Sequence, residues 1–177
     1  VTLVGVISAD TGLSLPDFRA GERTFQLLTQ VAGRAGRGHA PGEVIIQTYR
    51  PEEQPLLCAR THDYATYVSG ELQTREALGY PPFGRMTLFL FRGPQERDVA
   101  KAAGECAETL RSSDSEGLEV LGPVPAPLAR LQGRYRWQVI AKSFSAQRLN
   151  KAARHALERH HRRAVTLSVD VDPVSML

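Results

Sequence analysis

Gly79-Tyr80-Pro81-Pro82-Phe83-Gly84 decides how this chain is divided. Proline lacks an amide hydrogen and restricts the residue before it, so two in a row between glycines end a helix. The segment closes a helical connector with a Pro-rich linker, residues 51–84, and a domain of different composition follows at 85–177.

Downstream, Met86–Phe91 reads as a strand rich in Leu and Phe. Ala100–Arg111 reads as a helix, because Val99, Ala102, Ala103, Cys106, Ala107 and Leu110 recur at helical spacing. Leu118–Leu121 predicts a strand that resumes at Leu128–Leu131 after the Pro-rich Gly122–Pro127. Gln132-Gly133 predicts a hairpin turn into Arg134–Lys142. Ser145–His161 repeats the helix pattern, and Val165, Leu167, Val169 and Val171 alternate with polar residues as a half-buried last strand. The order βαββαβ is that of a ferredoxin-like α+β domain.

Upstream, Val1–Ile7 reads as a buried strand, Ala20 to Arg34 or beyond as a helix, and Glu43–Tyr49 as a second strand, so residues 1–50 have α/β character. Gln54–Leu78 is helical in pattern. A first strand this apolar belongs inside a sheet covered on both faces. Its neighbours are expected in a longer protein of which this chain is the C-terminal part.

The chain has 177 residues and is 42% hydrophobic, enough for a packed core. Cys58 and Cys106 form no CxxC and suggest neither a disulfide framework nor a metal site. No apolar run reaches the roughly 18–20 residues of a membrane span, so a soluble, cytoplasmic protein without membrane partners is expected. Net charge is +3, unevenly placed. Residues 1–80 hold 7 Lys/Arg against 9 Asp/Glu, and residues 81–177 hold 15 against 10. From Arg130 to Arg163, Glu158 is the only acid, which suggests an anionic partner for the second half.

The chemistry concentrates in Gln30-Val31-Ala32-Gly33-Arg34-Ala35-Gly36-Arg37-Gly38. On a continuing helix, Gln30, Arg34 and Arg37 fall at i, i+4 and i+7, one amide and two guanidiniums on one face. Small residues between them permit close approach, and arginine's planar fork suits phosphate. The alternative is a helix ending in a solvated, Gly-rich basic turn, an ordinary C-terminus.

Those residues extend into longer matches. Asp10-Thr11-Gly12-Leu13, Pro16-Asp17-Phe18-Arg19-Ala20, Glu22-Arg23 and Phe25 to Arg37 resemble motifs V and VI of superfamily 2 helicases, most closely the primosomal N′ (PriA-type) replication-restart group. Gly42–Thr48, Leu78–Arg85, Gly133–Gln138 and Asp170–Pro173 resemble the same family, whereas residues 95–119 and 143–164 are not distinctive.

The resemblance implies that residues 1–50 end a RecA-like lobe of an ATP-dependent 3′→5′ DNA helicase. It implies that Arg37 is the arginine finger, that Arg34 and Gln30 meet the γ-phosphate, and that Asp10, Gly12 and Gly33 lie near the nucleotide and couple it to DNA. ATP with Mg is the implied cofactor. Zinc is implied for the parent protein but not for this segment. DNA forks, single strands, single-stranded DNA-binding protein and other primosome proteins are the implied partners. No GxxxxGK[ST] loop or acidic Mg²⁺ box is present, so the chain alone is expected to be inactive.

A second candidate lies in the last domain. Arg134, Arg136 and Lys142 alternate with Tyr135 and Trp137, giving one cationic and one aromatic strand face. The cationic face suits a phosphate backbone. The aromatic face would suit stacked bases if open, or else belongs to the core. A non-catalytic DNA-binding or partner-docking module, and an RNA-associated domain, are the competing functions. Asp170 and Asp172 read as the solvated side of the last strand, open to contact with an arginine.

Overall fold

The computed structural model describes residues 2–35, 42–112, 117–161 and 164–176. Arg37 and His39 lie outside them, as do Arg162 and Arg163. The chain forms two compact units, Val1–Thr74 and Arg75–Leu177.

In the first unit β1 (Leu3–Val6) and β2 (Glu43–Ile46) pair in parallel, with Leu3 opposite Glu43 and Val6 opposite Ile46. A parallel pair needs a crossover. Here it contains α1 (Asp10–Leu13) and α2 (Ala20–Ala32). Phe25 and Leu28 of α2 are buried with Leu56, Cys58 and Ala59 of α3 (Gln54–Thr61). Tyr67 of α4 (Tyr64–Ala77) stacks on Phe25, ring centroids 4.4 Å apart. Gln54–Leu78 is therefore two helices. His62 turns left-handed at φ 55°, and the Asp63 carboxylate accepts from the Thr66 amide at 3.0 Å to start the second. The outer face of the strands is bare, with Leu3 and Ile45 more than half exposed and Glu43 exposed opposite Leu3.

In the second unit β3 (Arg85–Gly93), β4 (Glu119–Leu131), β5 (Arg134–Ser143) and β6 (Thr166–Val171) form one sheet in the order β4-β5-β3-β6, every pair antiparallel. Helices α5 (Glu96–Ser112) and α6 (Ala146–Arg159) share one face of it. There Phe89, Phe91, Val139 and Ala141 meet Val99, Ala103, Leu110 and Leu149, all almost fully buried. Burial pushes the Cys106 thiol up to about 12, as expected of a packed rather than reactive cysteine.

The Pro-rich segment differs from expectation. It does not interrupt the strand: β4 runs through it with register shifts between Leu121 and Val124 and between Pro125 and Arg130. An edge strand tolerates proline because one side makes no ladder bonds. Gln132 and Gly133 take φ of 51° and 77°, the two positive values of a two-residue hairpin turn.

Gly79-Tyr80-Pro81-Pro82-Phe83-Gly84 closes on itself. The Tyr80 amide donates to Arg75 O at 2.8 Å, and the Phe83 and Gly84 amides both donate to Tyr80 O. Asp172, beyond β6, makes the arginine contact that the sequence allowed: it pairs with Arg85 at 2.6 Å, and its amide donates to Met86 O.

Candidate functional site

The regular part of α2 stops at Ala32, and Arg37 lies outside the described residues. Gly33 remains in the right-handed region, its amide bonded to Thr29 O at 3.0 Å. The Arg34 and Ala35 amides then bond three residues back, to Val31 O and Ala32 O. This tighter ending follows from glycine's weak helix propensity. Gln30 and Arg34 are both exposed there, and neither hydrogen-bonds nor ion-pairs through its side chain with another described residue. An added methyl at Gly33 meets nothing nearer than 3.6 Å, so packing does not require glycine.

Asp10 and Gly12 are engaged within the fold. The Asp10 carboxylate accepts from Thr48 Oγ1 at 3.0 Å and from the Tyr49 amide at 3.1 Å, and Arg50 Nε lies 3.6 Å away. Partial desolvation pushes this carboxyl up, but the Tyr49 and Thr48 hydrogen bonds outweigh it and hold it below its ordinary value. Asp10 thus fastens the start of α1 to the segment after β2. Gly12 faces α2, where a methyl would stand 2.7 Å from Thr24 Oγ1, a hydroxyl itself donated to Ala20 O.

The strand face expected to be cationic is only partly available. Arg134 is exposed, but Arg136 and Lys142 are buried. Lys142 Nζ donates to Leu78 O at 3.0 Å, pairs with Glu119 at 2.9 Å and lies 4.9 Å from the Tyr80 ring centre. The expectation of Lys142 on a DNA strand is corrected accordingly: its ammonium is already taken by the Pro-rich loop. Tyr135 and Trp137 pack against the core beneath the helices and are not an open stacking platform.

Lys142→Ala is expected to cost about 2 kcal/mol, the scale of a lost charged hydrogen bond. The Glu119 pair adds little because Glu119 is exposed. Urea unfolding checks the loss, and oligonucleotide affinity of the folded protein is expected to stay unchanged.

Sequence reasoning passed over Arg92. It ends an otherwise apolar strand and looks like a simple boundary. Its significance comes from register, since β3 sets it directly opposite Arg136 on β5. Arg136 Nη1 donates to Leu128 O at 3.3 Å, while its Nε has no hydrogen-bond partner.

Residues 76–174 match the family described as the primosomal protein N C-terminal domain. The chain belongs to that family. It is similar along 99% of its length to a replication restart protein PriA of Synechocystis, at 42% identity. A Bacillus subtilis protein of the same name matches all of it at 40%, and one of Treponema pallidum matches 99% at 42%. The chain spans 21%, 22% and 27% of those relatives. A designed protein, Foldit4, overlays 51% of the chain at TM-score 0.42 and 12% identity, too slight a likeness to bear on fold or function. In this primosomal family member no helix among the described residues is long and apolar enough to cross a membrane, and no three His, Cys, Asp or Glu side chains there gather as a metal site.

Proposed function

We propose that this chain is the part of a replication-restart DNA helicase that completes an ATPase site from its first unit and holds DNA with its second. The observation that carries the first half is the end of α2, where Gln30 and Arg34 stand exposed beside Gly33, which need not be glycine for packing. A free guanidinium and amide on an approachable surface fit a polyphosphate. Bound ATP would supply the phosphoryl group and its charge; Arg34 and Gln30 would hold and orient the terminal phosphate, with Arg37 as the third cationic or polar group. The parallel β1–β2 pair with its helical crossover supports a RecA-like remnant. Asp10 and Gly12 then act by fixing the segment after β2 and α1 relative to α2.

For the second unit, a βαββαβ order with strands β4-β5-β3-β6 antiparallel supports a ferredoxin-like domain. Its excess of Arg and Lys supports DNA as ligand, with forks and primosome proteins as the wider context.

Gly33→Ala tests the close-approach reading. The methyl has room and the backbone is right-handed, so stability is expected to hold or rise by about 0.4–1 kcal/mol. ATP turnover by the intact helicase is expected to fall at least tenfold. Wild-type turnover in this variant would mean that no ligand approaches Gly33.

A further inference from the structure

We propose that Arg92, Arg134 and Arg136 form a binding site for a backbone phosphate of single-stranded nucleic acid, with Arg136 as its buried floor. The site rests on the DNA-binding reading above and locates it. All three residues lie on the sheet face away from α5 and α6, at the end where the β4–β5 hairpin turns. Arg92 and Arg136 are direct cross-strand partners, and Arg134 follows two residues along β5. Arg92 and Arg134 project exposed, while Arg136 is only 5% exposed. No acidic side chain among the described residues pairs with any of them.

The arrangement is unfavourable as it stands. Like charges directly opposite on neighbouring strands repel, and a buried guanidinium without a counter-charge carries its desolvation cost. Burial first, and the Arg92 guanidinium second, hold Arg136 below its ordinary value. Its single carbonyl bond to Leu128 O leaves Nε without a partner. An anion over Arg92 and Arg134 removes the repulsion. Thr166, opposite Arg92 on β6 and exposed, adds a hydroxyl donor at the same end. A phosphodiester suits this layout better than an acidic peptide, because one compact charge with several acceptor oxygens meets converging donors from three strands.

The test is salt-dependent binding of a labelled thymidine oligonucleotide by the full 177-residue chain. Each neutralised phosphate on a single strand contributes about 0.7 to the slope of log K against log salt. Arg92→Ala is exposed and safe for folding, and is expected to lower that slope by about 0.7 and to weaken binding equally for different base sequences. Arg136→Met is expected to lower the slope likewise while leaving Tm unchanged or higher, since it removes an uncompensated buried charge. A Tm lowered by several degrees in Arg136→Met would mark a packing residue and overturn the site. An unchanged slope in Arg92→Ala, with wild-type binding intact, overturns the site but leaves DNA binding elsewhere. A poly-glutamate peptide whose binding is lost in Arg92→Ala while the oligonucleotide slope stays constant puts an acidic segment there instead and also overturns it. No oligonucleotide binding by the wild-type chain removes both the site and the DNA reading.

Discussion

Gly84→Ala unfolds or severely destabilises the second unit, costing about 3 kcal/mol, the upper end of what an overpacked interior residue costs. The added methyl would stand 2.2 Å from Gly79 O and 2.9 Å from Gly79 C. These are backbone atoms, so no side chain can swing aside. Gly79 is itself fixed at φ +62° and its amide is bonded to Glu76 O, which leaves the loop little freedom to retreat. Moving it also disturbs Tyr80, whose carbonyl accepts from both the Phe83 and Gly84 amides and whose ring lies against Lys142. Thermal and urea unfolding of the full chain check the effect. A variant as stable as the wild type would mean that the loop does not hold its two glycines in contact. Gly133→Ala offers a contrast within the same unit. Nothing lies within 4 Å of a methyl there, so only the strain of its left-handed φ of +77° is at issue.

The sequence was readable where one period dominates. The interval from Val99 to Leu110 spells a buried helix face, and the structure buries those residues. Gln132-Gly133 carries its turn chemistry locally, and the turn is there. Local reading failed where pairing decides. Gly122–Pro127 looks like a break because proline opposes a ladder, but at a sheet edge the ladder needs only one side. Alternation in Arg134–Lys142 correctly separates two faces, but it says nothing about what covers each. Leu78, 64 residues away from Lys142, supplies the carbonyl that takes the ammonium inside. Arg92 was invisible for the same reason, its partner lying on another strand. Around the phosphate-like motif, composition conveyed the exposed Gln30 and Arg34, and of the two helix endings that the sequence left open the structure stops α2 at Ala32, before Gly33.

If the proposed function holds, Arg37→Ala abolishes ATP hydrolysis by the longer helicase while sparing DNA binding. Phosphoryl transfer leaves little covalent chemistry to the protein. Most of the acceleration comes from charge placed where the transferring group needs it, and one arginine in that position is worth about 10³–10⁵ in rate. Arg37 lies three residues beyond Arg34 in a segment rich in small residues, and the proposed ATPase site gives it the role of the finger. Arg37→Lys should recover only part of the activity, because an ammonium keeps the charge but not the planar fork. The direct measurement is DNA-stimulated ATP turnover of the intact protein, wild type against Arg37→Ala, with oligonucleotide binding followed on the same samples. Turnover at least about 10³-fold lower with unchanged DNA affinity is the predicted result. Turnover within a few-fold of wild type would contradict the assignment of this segment to an ATPase site.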